Sequence, residues 1–110
     1  MSPLFDETVF DALRCELGDE DTAEALAVFW DDTAGKVQRL AAQSEERPVV
    51  RLEAHSIKSS AGTFGFAQLS QLARELEAGA PTLPLETLRE AIRELRQTFE
   101  ATRDLAQAKL

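Results

Sequence analysis

Apolar residues recur at alternating steps of three and four along four long stretches of this chain, and this spacing restricts the fold more than any other feature of the sequence. Such steps place side chains on one face of an α-helix. The stretch 85–106 keeps the spacing for three heptads, with charged residues between the apolar ones. Its predicted inward positions are Leu85, Leu88, Ile92, Leu95, Phe99, Thr102 and Ala106.

Three earlier stretches show the same spacing and are separated by glycine and proline. The first begins after Asp19, a predicted N-cap, the second has Pro48 in its first turn and ends at Gly65, and the third covers 66–78. The segment GAPTLP then interrupts regular helix. The predicted inward positions are Ala23, Leu26, Trp30, Thr33, Val37 and Leu40, then Val50, Ala54, Ile57, Ala61 and Phe64, then Leu69, Leu72, Ala73 and Leu76.

A shorter apolar stretch, residues 5–17, precedes these four and stops at Gly18. Long helices with short connections pack as antiparallel neighbours. We therefore predict an all-α fold, in which residues 1–110 form a single domain. Its architecture is an antiparallel up-down-up-down four-helix bundle with a short N-terminal accessory helix over one end. An open pair of helices that dimerises would show the same apolar faces, which we call seams. Four seams in one chain nevertheless favour closure within that chain.

Composition excludes several classes of function. Twenty acidic against twelve basic residues give a formal charge of −8, which argues against nucleic acid or a membrane surface as a partner. No stretch approaches the roughly 20 apolar residues of a membrane-spanning helix, and the first ten residues, MSPLFDETVF, lack a basic targeting region. We therefore expect a soluble cytoplasmic protein. The lone Cys15 cannot form an internal disulfide, and we expect it to be buried or half-buried.

The third predicted helix carries the one histidine of the chain, His55. A lone histidine in a helical protein is usually structural or simply exposed. At about 100° per residue, His55 falls roughly 140° from the centre of the apolar face and therefore points to solvent. Arg47, Arg51 and Lys58 share its side of the helix. An acidic protein thus presents a basic stripe with a histidine inside it, although an ordinary solvated face could carry the same charges.

Small residues and one leucine surround this histidine. Ser59 and Gly62 occupy positions from which larger side chains would shade the imidazole, because helical side chains lean toward the N-terminus. A glycine inside a helix costs about 1 kcal/mol relative to alanine, so Gly62 needs an explanation. Close approach of another protein is one; helix fraying or close packing of the neighbouring helix is another. Leu52 points away from the apolar face, so we predict that it belongs to a docking patch.

The stretch HSIKSSAGTFG, residues 55–65, resembles the signature of histidine phosphotransfer (HPt) domains. His55, Ile57, Lys58, Gly62 and the turn residue Gly65 match that signature position by position. A serine, residue 59, stands where the family usually has glycine, but it is small enough to preserve access to the imidazole. The leucines at 69, 72 and 76, with the glutamate at 77, resemble the next helix of the family.

The resemblance implies a phosphorelay intermediate of two-component signalling. His55 would accept a phosphoryl group from an aspartyl phosphate on a receiver domain and pass it to an aspartate on another. The partners would be response-regulator receiver domains and a hybrid histidine kinase, and the protein would be a monomeric carrier without kinase activity. Lys58 would neutralise phosphoryl charge. No cofactor is expected on this chain, and the Mg²⁺ would belong to the receiver alone.

One imidazole nitrogen needs an acceptor that holds its proton and frees the other nitrogen for attack. If the third and fourth helices form a hairpin about Gly65, residue 77 returns to the level of His55. Glu77 is therefore the leading candidate to orient the imidazole, with Gln71 or Arg74 as alternatives if the hairpin pivots elsewhere. An exposed surface glutamate without a role explains Glu77 equally well.

Two other functions compete with this interpretation. A histidine-kinase dimerisation helix would have an acidic residue directly after the histidine and a proline further on, whereas this chain has Ser56 and no such proline. A helical interaction module without phosphoryl chemistry is not excluded by the sequence. A metal site is disfavoured because no carboxylate lies three or four residues after His55.

Overall fold

Five α-helices and no β-strand make up residues 3–110, the part of the chain that this computed structural model describes. The all-α prediction is therefore confirmed. The first two residues of the predicted domain lie outside the described range. In chain order the helices are α1 (Glu7–Leu17), α2 (Asp19–Ala42), α3 (Arg47–Phe64), α4 (Ala67–Gly79) and α5 (Leu85–Lys109).

The four long helices close into a ring, as the seams predict. α2 packs against α3, α3 against α4, α4 against α5, and α5 returns to α2. The α3–α4 contact is the most extensive of these. Because the loops between successive helices are short, neighbours run antiparallel and form the predicted up-down-up-down bundle. The α3–α4 pair therefore lies on the side of the bundle opposite the α2–α5 pair.

The predicted seams form the core with one shift of register. The inward positions of α3 and α5 are buried almost without exception. In α2, however, Thr22 and Phe29 are buried, whereas Ala23 is exposed and Trp30 only half-buried. A spacing of three and four residues can start at either of two adjacent residues, so the sequence alone does not decide which of the two faces the core. Packing decides here: both rings lie against the ring of Phe66, with centroids 5.3 Å away for Phe29 and 5.2 Å for Trp30, but only Phe29 is enclosed by the bundle.

The N-terminal helix covers the end of the bundle where α3 turns into α4. The rings of Phe5 and Phe10 pack on each other and around Phe66, with centroids 5.0 to 6.1 Å apart. The backbone N–H of Asp6 donates to the carbonyl of Gly65 at 2.6 Å. The predicted accessory helix is thus confirmed, and it is bonded directly to the turn that ends α3.

Two local predictions near α1 are wrong. Gly18, not Asp19, is the N-cap of α2, since the carboxylate of Asp19 pairs with the guanidinium of Arg14 at 3.2 Å instead. Cys15 is exposed rather than buried, because α1 is a cap that buries Phe10 and turns its other faces to solvent. Within residues 3–110, no helix has the length and apolar character that crossing a bilayer requires.

Candidate functional site

The α3–α4 hairpin brings a carboxylate to the histidine. Gly65 ends α3 in the left-handed conformation, with φ of 78°, and its N–H donates to the carbonyl oxygens of Ala61 and Gly62. The chain therefore reverses direction within two residues. Glu77 on α4 comes level with His55 on α3, which is the position that a hairpin about Gly65 predicts.

The carboxylate of Glu77 bridges two side chains of α3. One oxygen, Oε2, lies 2.8 Å from Nδ1 of His55, and the other, Oε1, accepts from the ammonium of Lys58 at 2.7 Å. The hydrogen bond from Lys58, and then the one with His55, lowers the pKa of Glu77 below its ordinary value. Glu77 is therefore an ionised carboxylate, which accepts hydrogen bonds and cannot donate one.

This geometry assigns the protons of the imidazole. Because the Glu77 carboxylate can only accept, Nδ1 of His55 must donate to it and carry the ring proton in the neutral imidazole. The lone pair of the neutral ring then lies on Nε2. His55 exposes 57% of its side chain, so this nitrogen is accessible to another protein. In its neutral form the imidazole is therefore an oriented nucleophile on an open helix surface.

Lys58 is engaged with the carboxylate rather than extended into solvent. Its side chain is only 28% exposed and reaches Glu77 across the α3–α4 contact. The sequence predicted a lysine one turn from the histidine, but not that its charge would be neutralised by the same carboxylate that binds the imidazole. Of the two alternative orienting residues, Gln71 donates to Glu75 on its own helix, and Arg74 is exposed.

The predicted docking residues fall into two groups. Arg51, Leu52, Ser59 and Gly62 are exposed around His55, and Leu52 exposes 66% of its surface. Arg47 is different. It is half-buried, and its guanidinium donates to the backbone carbonyl of Ala80 at 2.8 Å. Arg47 therefore joins the start of α3 to the end of α4, where the last carbonyls of a helix need donors.

Gly62 is not required by packing inside the protein. A Cβ atom built at this position would lie 3.7 Å from Oγ of Ser70, which is an ordinary van der Waals contact. Close packing of the neighbouring helix, one of the explanations that the sequence left open, therefore does not account for the glycine. Ser70 itself was not predicted. Its hydroxyl donates to the carbonyl of Lys58 at 3.0 Å, a bond to the backbone of another helix that no sequence motif signals.

No group of three or more histidine, cysteine, aspartate or glutamate side chains comes together within residues 3–110 in a way that would hold a metal ion. At the site itself the carboxylate of Glu77 is already shared between Lys58 and His55. A metal ion bound by this carboxylate would have to displace the ammonium of Lys58.

A comparison with protein families decides what this helical site belongs to. The model of the Hpt domain matches residues 24–105, which is most of the chain. The chain belongs to the Hpt domain family. Proteins built on the Hpt domain are phosphoryl carriers rather than kinases, so this chain has a phosphotransfer role in a phosphorelay. The match begins inside α2, so the accessory helix α1 is an addition to the matched part of this Hpt domain.

The fold is also that of a known Hpt protein. The crystal structure of histidine-containing phosphotransfer protein B (HptB) from Pseudomonas aeruginosa PAO1 superposes with a TM-score of 0.87. The two sequences are 24% identical, and the match covers 99% of this chain and 96% of that one. The likeness therefore extends over the bundle and includes the accessory helix. No curated protein matches this chain in sequence.

Proposed function

We propose that His55 is the phosphorylated residue of this Hpt domain. Its Nε2 would accept a phosphoryl group from the aspartyl phosphate of one receiver domain, in a hybrid histidine kinase or a separate protein, and pass it to the aspartate of a second. The observation that carries the proposal is the bond between Nδ1 of His55 and Glu77, which holds the proton of the neutral ring on Nδ1 and leaves the lone pair on Nε2 of an exposed side chain. A phosphoryl carrier needs that combination.

The transfer step follows from the arrangement of protons. The Nε2 lone pair attacks phosphorus in line, a P–N bond forms, and the P–O bond to the receiver aspartate breaks, so that its carboxylate is restored. The ring keeps its proton on Nδ1 and gains positive charge when the P–N bond forms. The carboxylate of Glu77 lies 2.8 Å from that nitrogen and stabilises the charge. The reverse sequence of steps donates the phosphoryl group to the second receiver.

Lys58 has two positions in this scheme. Before transfer its ammonium neutralises Glu77 at 2.7 Å. Its flexible stem lies one turn from His55, so it can swing toward the phosphoryl oxygens when the receiver docks and supply the compact positive charge that phosphoryl transfer uses. The acid and the Mg²⁺ would be supplied by the receiver, and the relay would operate in the cytoplasm.

The exposed residues around His55 are the proposed docking surface. Leu52 supplies apolar contact, Arg51 supplies positive charge for an acidic receiver site, and Ser59 and Gly62 leave room for the approach of the receiver. Arg47, which the sequence placed in this surface, would act at its edge, because its guanidinium is already bonded to Ala80.

A transfer assay tests the proposal directly. The protein is mixed with a series of purified receivers, each carrying an aspartyl phosphate, and labelled phosphate is followed onto this chain. We expect phosphate that is labile in acid and stable in base, as a phosphoramidate is, and no transfer to His55→Gln. Glu94→Gln, which introduces the same residue at an exposed position of α5 away from this surface, is the matched control and should still be phosphorylated. Transfer that survives His55→Gln, or no transfer from any receiver, would leave an interaction module without phosphoryl chemistry as the better explanation.

A further inference from the structure

A groove runs along the seam between α2 and α5, on the side of the bundle opposite His55. Three cavities of about 270, 240 and 160 Å³ lie along it. Each cavity is lined by residues from both sides of the seam: the first by Ala23 and Leu110, the second by Ala34 and Phe99, and the third by Ala41 and Arg89. We call this feature the α2–α5 groove. At 1.5 Å per residue it extends about 27 Å along α2.

The floor of the α2–α5 groove is apolar and open. Leu26, Val37 and Phe99 are buried beneath it, while Trp30 is half-buried and Leu110 is 49% exposed. The α2 edge is built largely from alanines, and these allow a second helical surface to approach closely.

The two edges of the groove carry opposite charge. The α5 edge carries Arg89, Arg93, Arg96 and Arg103, with Glu100 as the one acid among them. Helical spacing places Glu20, Glu24 and Asp31 outside the alanines of the α2 edge, and all three are exposed. Four of the twelve basic residues of an acidic chain are thus concentrated on one edge.

Most of these charges have no partner within the protein. Among residues 3–110, neither Arg96 nor Arg103 makes an ion pair, and none of the three acids on the α2 edge does so. Arg93 reaches only Glu90 on its own helix, at 3.9 Å. At the far end of the seam, Arg89 does pair with Glu45, at 3.2 Å. The charges beside the first two cavities are free to pair with another molecule.

In place of the monomer that the family resemblance implies, we propose that the α2–α5 groove is a self-complementary interface that binds a second copy of this chain. A two-fold axis parallel to the helices places equivalent residues of the two copies at the same height along that axis. It also packs the α2 edge of each copy against the α5 edge of the other. Since α2 and α5 are antiparallel and Ala34 is level with Phe99, Asp31 is level with residue 102 and thus within one residue of Arg103. The axis therefore brings Asp31 of each copy to Arg103 of the other.

The size of the face predicts a weak dimer. A strip about 27 Å long and two helices wide covers roughly 500 to 600 Å² per copy, at the lower end of specific interfaces. His55 lies on the opposite side of each bundle, so both histidines stay accessible. Such a dimer would present two phosphotransfer sites that face away from each other and can serve two receivers at once.

Sedimentation equilibrium of the purified chain tests the proposal, from about 1 µM to 1 mM, the range of weak association. We expect a concentration-dependent dimer that added salt weakens, because exposed ion pairs are screened. Asp31→Arg, at an exposed residue without internal partners, should weaken association at least tenfold, as should Arg103→Glu. The double variant should return to within about threefold of the unmodified chain, because the pair is restored with its charges exchanged.

Arg74→Glu is the matched control, since it makes the same change of charge at an exposed position of α4, away from the groove. It should leave association unchanged. Helicity measured by circular dichroism checks that each variant is folded, and Asp31→Arg stays informative even if Arg103→Glu disturbs the ring of Phe99, over which Arg103 lies. A monomer at every concentration would overturn the proposal. So would a dimer that Asp31→Arg does not weaken, or a double variant as weak as the single ones.

Discussion

Nδ1 of His55 and Oε2 of Glu77 lie 2.8 Å apart although 22 residues separate them in the chain. The left-handed turn at Gly65 makes this possible because it folds α4 back along α3. The pair determines which nitrogen of the exposed imidazole is free to react, so the chemistry of the site depends on the hairpin as much as on the histidine.

Replacement of Glu77 by glutamine should slow phosphorylation of His55 by roughly 10- to 100-fold, by analogy with the loss of a carboxylate that orients a metal-bound histidine. Glutamine retains an acceptor but loses the negative charge that stabilises the phosphorylated ring. Single-turnover transfer from a phosphorylated receiver measures the rate, and ¹⁵N chemical shifts of His55 report which nitrogen carries the proton. Glu75→Gln is the control. Equal rates for Glu77→Gln and the unmodified protein would remove Glu77 from the mechanism.

The stability of the protein should depend on pH through Glu77. Its pKa is lowered on folding, so its stabilising effect is complete above the ordinary value of 4.5 and is lost as the pH falls through the lower, folded-state pKa. Urea unfolding of the unmodified protein and of Glu77→Gln, at several values between about pH 6 and pH 3, isolates this effect. The difference in free energy of unfolding should be constant at the upper end and shrink as the pH falls. A difference that stays the same down to the lowest pH would contradict the ionised assignment.

Lys58→Ala should reduce the rate of transfer more than the affinity for a receiver. Removal of one charge that stabilises a transition state costs on the order of 10- to 1,000-fold in rate, whereas a charge that is already paired within the protein, as Lys58 is with Glu77, contributes little at the edge of an interface. Rapid-quench kinetics and calorimetric titration with a receiver separate the two quantities. Lys36→Ala, which breaks the 2.6 Å ion pair with Asp32 on α2, is the matched control. An unchanged rate with a large loss of affinity would make Lys58 a docking residue.

Gly62 offers a test of clearance around the histidine. Gly62→Ala should stabilise the helix by about 0.5 to 1 kcal/mol, because the added Cβ makes only an ordinary contact with Ser70. Gly62→Leu should remain folded but impair receiver binding, since a longer side chain would cover the surface beside His55. Thermal unfolding and binding titrations measure the two effects. If receivers bind Gly62→Leu as tightly as the unmodified protein, Gly62 lies outside the docking surface.

Gly65 should tolerate no side chain. Its φ is +78°, and a Cβ built there would lie 2.8 Å from the backbone carbonyl oxygen of Asp6. The left-handed conformation alone costs about 1 to 2 kcal/mol for an L-residue, so Gly65→Ala should destabilise the fold by roughly 2 kcal/mol or more. Gly35→Ala is the control, because its Cβ would meet only the end of the Arg39 side chain, at 3.5 Å. Equal stability of the two variants would mean that the contact between α1 and the turn contributes nothing.

The sequence by itself determined the helices and the exposed face that carries His55. Steps of three and four are a local property of the chain, so the seams of α3 and α5 and the outward position of His55 follow from the sequence alone. The same rule could not choose between Phe29 and Trp30 in α2, because neighbouring positions are nearly equivalent until other helices pack against them.

Only the tertiary structure decided what the charged side chains bind. Lys58 and Arg47 look alike on a helical wheel, yet one lies on Glu77 and the other on the carbonyl of Ala80. Long side chains choose their partners among groups that folding brings from other helices, and those groups are distant in sequence. For the same reason Glu77 remained one of three candidates until the turn at Gly65 placed it at 2.8 Å from the imidazole.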